Sequence, residues 1–191
     1  MGDLFGDWVD PWREIVLRGE DGRVFFEGSL RDRIMMTIDQ CPQHRFLFLT
    51  KNPKQLAKWG KFPDNCWVGV TATNMRMLAD ACYMLKRVEV KVKYISVEPF
   101  LDFNRTDDLL AWNIETALFE AGIGWVIIGG LTGKNKFYPP ENWIQEIELA
   151  CGKSRIPIFE KDNLRKVWYN YPRQEMPMEG NYANSRRTQK R

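Results

Sequence analysis

The chain has 191 residues, a formal net charge of +3, 44% apolar residues and 13% aromatic residues, which suits one domain with a substantial core. No apolar run approaches the roughly 20 residues of a membrane-spanning helix. The acidic first ten residues also lack the basic and apolar regions of a signal peptide, so we expect a cytoplasmic protein with no membrane attachment.

Residues 1–28 are the least regular part of the chain. Pro11 is placed to open a helix through Leu17, and residues 19–23 (GEDGR) have the composition of a turn. Ser29 is a suitable helix N-cap, and from there the pattern becomes regular. The sequence therefore divides into an irregular segment (1–28), a regular domain (29–170) and a tail (171–191).

The regular domain alternates two kinds of pattern. Short runs of apolar, β-branched or aromatic residues predict strands at residues 45–50, 66–71, 92–97, 124–128 and 156–159. Apolar residues at helical spacing predict helices at residues 29–41, 74–86, 107–121, 143–151 and 161–170, besides a short helix that ends at Trp59. Asp107 and Asp108 would lie at the start of the third of these helices, where negative charge is favoured.

The tail carries the positive charge. Residues 172–191 hold five Lys or Arg and two Glu, a net of +3, so the first 171 residues balance to zero. A fold that grips a nucleic acid backbone is usually basic over one face. We expect the tail to be a loosely held, solvated end, with a nucleic-acid-binding arm as the alternative.

The four cysteines do not have the spacing of a metal site. Cys41, Cys66, Cys82 and Cys151 are separated by 25, 16 and 69 residues, and no CxxC pair occurs. Three of them fall on the apolar stripes of predicted helices, and Cys66 begins a predicted strand. The pattern predicts buried thiols and no zinc or iron–sulfur ligands.

Strands that alternate with helices predict parallel β/α units. The expected fold is α/β, a partial β/α (TIM-like) barrel of about five parallel strands, with an open doubly wound sheet as the alternative. In both folds, binding groups gather where the strands end. His44, the one histidine, precedes its strand and belongs to the opposite edge, so no Ser/His/Asp catalytic set can be assembled.

Several candidate site residues follow the predicted strands directly. The ammonium of Lys51 suits a carboxylate or phosphate ligand, or alternatively pairs with Glu98. Thr71, Thr73 and Asn74 could hold a ribose or similar polyol, although Thr73 or Asn74 could equally cap the next helix.

Three further strand ends complete the predicted site. Ser96 and Glu98 lie at the end of the central strand. A carboxylate in such a place must either pair with another group or contact a ligand, and we expect one of these for Glu98. The glycine-rich stretch that begins at Gly129 does not have the spacing of a phosphate-binding loop. Gly129 and Gly130 are instead expected to let a planar ligand approach the strand end. Lys161 follows the last strand.

Six motifs in order, MGDLFGDW, PQHRFLFLTKNP, NCWVGVTATN, YISVEPFL, WVIIGGLTG and IPIFEKDNL, resemble one family. It is the phage-associated, radical-SAM-related family, distantly similar to spore photoproduct lyase and its DNA-photolyase-like relatives. The resemblance implies S-adenosylmethionine as cofactor, with Lys51 near its methionyl carboxylate. Thr71, Thr73 and Asn74 would lie near its methionyl or ribose part. Ser96 belongs to the same cofactor-binding set.

For the remaining site residues, the resemblance implies that Gly129 and Gly130 flank the adenine. Glu98 would face the substrate or ribose, and Lys161 would close the rim, so that these two are the candidate catalytic residues.

The resemblance also implies a [4Fe–4S] cluster whose cysteine ligands are absent from this sequence, and it makes residues 10–28 an insertion. The chain would then be the C-terminal portion of such a protein, inactive alone and paired with a separately encoded N-terminal half. An open sheet edge would favour self-association. The alternatives are a non-redox module that binds a nucleoside or anionic metabolite, and a nucleic-acid-associated accessory protein.

Overall fold

The computed structural model describes residues 3–104, 106, 109–167 and 172–178. Its regular elements are β1 (Glu14–Arg18), β2 (Val24–Ser29), α1 (Leu30–Asp39), β3 (Phe46–Thr50), β4 (Cys66–Thr71), α2 (Met75–Leu85), β5 (Val92–Val97), α3 (Ile114–Ala121), β6 (Ile123–Ile128), α4 (Glu141–Lys153) and β7 (Ile158–Glu160). Two 3-10 helices cover Pro53–Trp59 and Asp162–Lys166.

The fold is α/β, with a five-stranded parallel sheet in the order β3-β4-β5-β6-β7 and helices between the strands. Because the spatial order equals the chain order, each β/α unit adds one strand on the same side. This is the arrangement of a partial β/α barrel and confirms the predicted fold class. In the described part of the chain, no helix is long and apolar enough to cross a membrane.

The two faces of the sheet have different cores. All four helices pack on one face, against alternate strand residues such as Val68, Ile95 and Val126. The other face, which we call the inner face, carries a smaller aromatic cluster of Trp67, Tyr94 and Trp125 with Val92, against which Phe159 packs. Rings from β4, β5, β6 and β7 touch one another there, with centroids 5.7–6.1 Å apart.

A glycine shapes the inner face. Tyr94 lies flat over Gly69 of the neighbouring strand, where a Cβ atom would overlap its ring. The Tyr94 side chain is 3% exposed, and burial raises the pKa of its phenol. The tyrosine thus fills the space that Gly69 leaves.

The predicted helix from Pro11 through Leu17 is wrong. Glu14–Arg18 is a strand that pairs antiparallel with Val24–Ser29, and residues 19–23 form the predicted turn. The segment alternates exposed and half-buried side chains, a period of two that favours a strand over a helix. Ser29 caps α1 as expected, accepting the N–H of Asp32 at 3.0 Å.

Three other boundaries differ. The third long helix begins at Ile114, where Asn113 accepts the N–H of Thr116 at 2.9 Å, and Asp107 and Asp108 lie outside the described residues. The predicted helix at 161–170 is a 3-10 helix over Asp162–Lys166. Residues 172–178, expected to be loosely held, run antiparallel beside β7; we call them the C-terminal strap.

Candidate binding site at the carboxyl edge of the sheet

The strand ends bring five of the predicted site residues to one place on the inner face. Thr71 and Ser96 are register partners on β4 and β5. Glu98 continues β5, Gly129 continues β6 and Lys161 continues β7. Since side chains alternate along a strand, these positions fall on the same face as Tyr94, Trp125 and Phe159.

Glu98 and Lys161 form an ion pair over Gly129. The Lys161 Nζ lies 2.6 Å from the Glu98 carboxylate, and the two side chains are 41% and 25% exposed, respectively. A Cβ atom on Gly129 would lie 3.0 Å from the Glu98 carboxylate. The glycine therefore gives the acid room to cross β6 and reach the lysine of β7. The partner of Glu98 is Lys161, not Lys51.

The hydroxyl groups of Thr71 and Ser96 lie beside this pair. These residues are only 5% and 3% exposed. Neither side chain hydrogen-bonds another group in the part of the chain that the structure describes. Neither hydroxyl oxygen is among the fully buried atoms that lack a partner, so each keeps some contact with the surface at the strand ends. These two groups are thus suited to meet a ligand.

Lys51 stands at the end of β3, and its side chain is exposed. Its backbone N–H donates to the Asp3 carboxylate at 3.2 Å, and the Thr50 hydroxyl donates to the same carboxylate at 2.7 Å. The Lys51 ammonium forms no ion pair with any carboxylate of the described residues. The cation is therefore held at the edge through its backbone while its charge stays available.

Three predicted residues have other partners. Asn74 caps α2 by accepting the N–H of Met77 at 2.8 Å, and the Thr73 hydroxyl donates to the Met77 sulfur at 3.3 Å. For Asn74, the structure therefore confirms the alternative prediction, a helix cap. Gly130 is turned away, with the Phe137 carbonyl 2.9 Å from where its Cβ would lie.

Sequence reasoning missed the residues that position this edge. Asn163 makes a two-way bond with the Gly130 peptide, donating to its carbonyl at 3.0 Å and accepting its N–H at 3.2 Å. Asp7 accepts from Asn52 and Gln55, and these hydrogen bonds lower the pKa of the Asp7 carboxyl. The acidic start of the chain draws attention to Asp3 and Asp7. The sequence does not indicate, however, which strand end these two carboxylates contact.

His44 lies at the opposite edge of the sheet, as expected. It lines a cavity of about 620 Å³ at the amino ends of the strands together with Arg45, Trp67 and Met178. Arg45 stacks on Trp67, with its guanidinium carbon 4.3 Å from the ring centroid. This cavity is separate from the strand ends that carry Thr71, Ser96 and Glu98.

Residues 25–190 match a family described as "Protein of unknown function (DUF5131)". The chain belongs to this family. No curated protein and no solved structure matches the chain. The family match leaves the first 24 residues outside it.

The expected relation to radical-SAM and photolyase-like proteins is wrong, because the family that matches is one of unknown function and carries no such relation. The phage association is likewise unsupported. Cys41, Cys66, Cys82 and Cys151 are all free thiols, and burial raises the pKa of Cys66 to about 11 and of Cys82 and Cys151 to about 12. Among the described residues, no group of three or more His, Cys, Asp or Glu could hold a metal ion.

Proposed function

We propose that this chain is a non-redox binding module that takes a small anionic metabolite of the nucleoside type at the carboxyl edge of its sheet. The observation that carries this proposal is the pair of hydroxyls of Thr71 and Ser96, which have no hydrogen-bond partner among the described residues although little of either residue is exposed. They lie on neighbouring strands about 5 Å apart, a spacing that suits adjacent hydroxyl groups of a ribose or similar polyol.

The charges around the hydroxyls support an anionic ligand. Lys51 offers an exposed ammonium without an ion-pair partner among the described residues, and Lys161 offers a second ammonium that is shared with Glu98. A phosphate or carboxylate would meet the first cation directly, and Glu98 could accept a hydroxyl proton of the same ligand. Gly129, under the ion pair, leaves room for the Glu98 side chain to reach Lys161.

The other expectations have less support. The nucleic-acid role depends on basic residues beyond 178, which lie outside the described part of the chain, and stays a prediction. The separately encoded N-terminal half and the iron–sulfur cluster were implied by the radical-SAM resemblance and lose their support with it. S-adenosylmethionine stays a prediction about the ligand, because it carries both a carboxylate and a ribose.

The test is isothermal titration of the full chain with adenosine 5′-monophosphate, adenosine, ribose 5-phosphate, inorganic phosphate and S-adenosylmethionine. We expect the anionic nucleoside compounds to bind and Lys51→Ala to weaken the best of them by about 10- to 100-fold, the loss of one charge-assisted hydrogen bond. Thr71→Val and Ser96→Ala should each cost roughly 3- to 10-fold.

Lys91→Ala is the matched control, because Lys91 is an exposed lysine at the other edge of the same sheet, beside the His44 cavity. It changes the net charge by the same amount and should leave affinity unchanged. No binding of any of the five compounds at millimolar concentration would refute the proposal. Equal losses in Lys51→Ala and Lys91→Ala would also refute it, since only general electrostatics would then be at work.

A further inference from the structure

The C-terminal strap closes one edge of the sheet with backbone hydrogen bonds. The Glu160 N–H donates to the Arg173 carbonyl at 2.7 Å, and the Glu175 N–H donates to the Ile158 carbonyl at 2.9 Å. The indole N–H of Trp125 donates to the Glu175 carbonyl at 2.9 Å. The strap therefore adds a short antiparallel strand to β7 and covers one side of the inner-face aromatic cluster.

Under this strap lies a carboxyl group with an unsatisfied oxygen. The Glu160 residue is fully buried, with 0% exposure. One of its oxygens, Oε2, accepts the Arg173 N–H at 3.0 Å, while Oε1 has no donor to accept from among the described residues. Among the described residues, Oε1 is the one buried side-chain nitrogen or oxygen atom without a hydrogen-bond partner. Burying an unpaired charge is expensive, so the group is best held with a proton.

The surroundings of Glu160 oppose its ionisation. Glu148 and Cys151 face it from α4, and Arg173 faces it from the strap, where Glu175 pairs with the Arg173 guanidinium. The Arg173 guanidinium is already shared, 3.7 Å from the Glu148 carboxylate and 2.8 Å from the Glu175 carboxylate. An ionised Glu160 would be the third carboxylate around one guanidinium. Burial first, and then Glu148, raise the pKa of Glu160 to about 7.

We propose that the C-terminal strap is a proton-controlled cover over the β7 edge, closed while Glu160 holds its proton and opened when that proton passes to solvent. In the closed form, the protonated carboxyl accepts the Arg173 N–H and donates its O–H to the Glu148 carboxylate, which lies within hydrogen-bonding reach of Glu160. In the open form, water solvates the Glu160 carboxylate.

The strap yields before the rest of the fold because it is the weakest cover of Glu160. Helix α4 has 13 residues and buries Ile144, Ile147 and Cys151 in the main core. The strap, by contrast, is short, and its charged residues Arg173 and Glu175 remain partly or largely exposed. Local opening is drawn from elements that bury little apolar surface, so hydrating Glu160 costs least through the strap.

Opening would also change the cavity at the amino edge. Pro177 and Met178, at the far end of the strap, line it together with Arg45 and Trp67. A strap that leaves β7 removes this wall. The same protonation event therefore controls both the β7 edge and the mouth of the roughly 620 Å³ cavity.

The experiment is hydrogen exchange of the full chain followed by mass spectrometry from about pH 5.5 to about pH 8.5, corrected with an unfolded control at each pH. An opened strap returns the pKa of Glu160 from about 7 toward its ordinary value of 4.5. By proton linkage, the equilibrium constant for strap opening should then be roughly 30-fold larger at about pH 8.5 than at about pH 5.5. The protection of residues 172–178 against exchange should fall by about the same factor. The Ala72 N–H, which donates to the Ser96 carbonyl in the sheet, should keep its protection.

Glu160→Gln keeps the acceptor for Arg173 and a donor for Glu148, so its strap should stay protected at every pH. Glu141→Gln, an exposed glutamate at the start of the same helix α4, is the matched control and should behave like the natural chain. Glu148→Gln, which removes a neighbouring charge, should show a smaller fall and serves if Glu160→Gln does not fold. Strap protection that is constant with pH, or a fall of equal size in Glu160→Gln, would overturn the proposal.

Discussion

The two edges of the parallel sheet are finished in different ways. At the β7 edge, the chain returns as the C-terminal strap, pairs with Ile158 and Glu160 and covers Trp125, which is 5% exposed. At the β3 edge, no strand of the described residues pairs with the outer side, and Leu47 and Leu49 are 50% and 47% exposed. Both edges border the same inner face.

This difference separates two ways of managing an edge strand. The Phe46 N–H donates to the Asn65 carbonyl at 2.9 Å, so Phe46, Phe48 and Thr50 bond to β4 and the backbone groups of Leu47 and Leu49 point outward. An apolar edge of this kind is a template for another strand. The β7 edge, by contrast, is covered by a segment that also buries a titratable group.

The largest effect should come from the covered side. Trp125→Ala removes a ring in contact with Trp67, Tyr94 and Phe159, and we expect it to lower the free energy of unfolding by about 3–5 kcal/mol. Leu47→Ala, at the other edge, should cost less than about 1 kcal/mol because the side chain is half exposed. Urea unfolding followed by circular dichroism measures both. Equal losses would mean that the two edges are packed alike.

Glu160 should give the next largest effect, and it depends on pH. Its folded-state pKa of about 7 is above the ordinary value of 4.5, so the folded chain holds the proton longer than the unfolded chain. The free energy of unfolding therefore falls as pH rises from 4.5 to about 7, by up to about 3 kcal/mol for a shift of about 2.5 units.

Glu160→Gln should remove this decline. The variant would then be the more stable form near pH 8 and similar to the natural chain near pH 4, which urea titrations at several pH values can establish. A difference between the two chains that does not change with pH would contradict the assignment, because it would show that the proton plays no part in the effect.

The smallest effect on the free energy of unfolding is expected at the β3 edge, where a substitution should change how two copies of the chain associate. We expect the natural chain to show concentration-dependent dimers in sedimentation velocity, through antiparallel pairing of two β3 strands that sets Leu47 opposite Leu49 of the second copy. Leu49→Lys should abolish the dimers and change the free energy of unfolding by less than about 1 kcal/mol. Leu149→Lys, on the exposed side of α4 with 64% exposure, is the matched control. A strictly monomeric natural chain would count against this use of the edge.

Much of the fold could be predicted from local patterns. The short apolar runs ending at Thr50, Thr71 and Val97 are strands within a residue or two of their predicted bounds. A buried strand needs little beyond its own composition and the turn that follows it. Asn74 illustrates the limit, since its position before a helix favoured both a ligand contact and a cap, and the α2 backbone took it as the cap.

Other features carried no local signal. Glu14–Arg18 was misread because Pro11 suggested a helix start, whereas the strand depends on pairing with β2. The pairing of Glu98 with Lys161 required knowing that β5 and β7 flank Gly129. The strap contains ordinary tail residues, and only its contacts with Ile158, Glu160 and Trp125 make it part of the sheet.

By itself, the sequence determined the alternation of strands and helices and the polar residues that follow the strands, because both depend on the period of neighbouring side chains. Tertiary structure alone decided which edge is closed, which lysine meets Glu98 and which carboxyl is buried with one oxygen unpaired. Those outcomes depend on contacts between residues far apart in the chain, and no local period encodes such contacts.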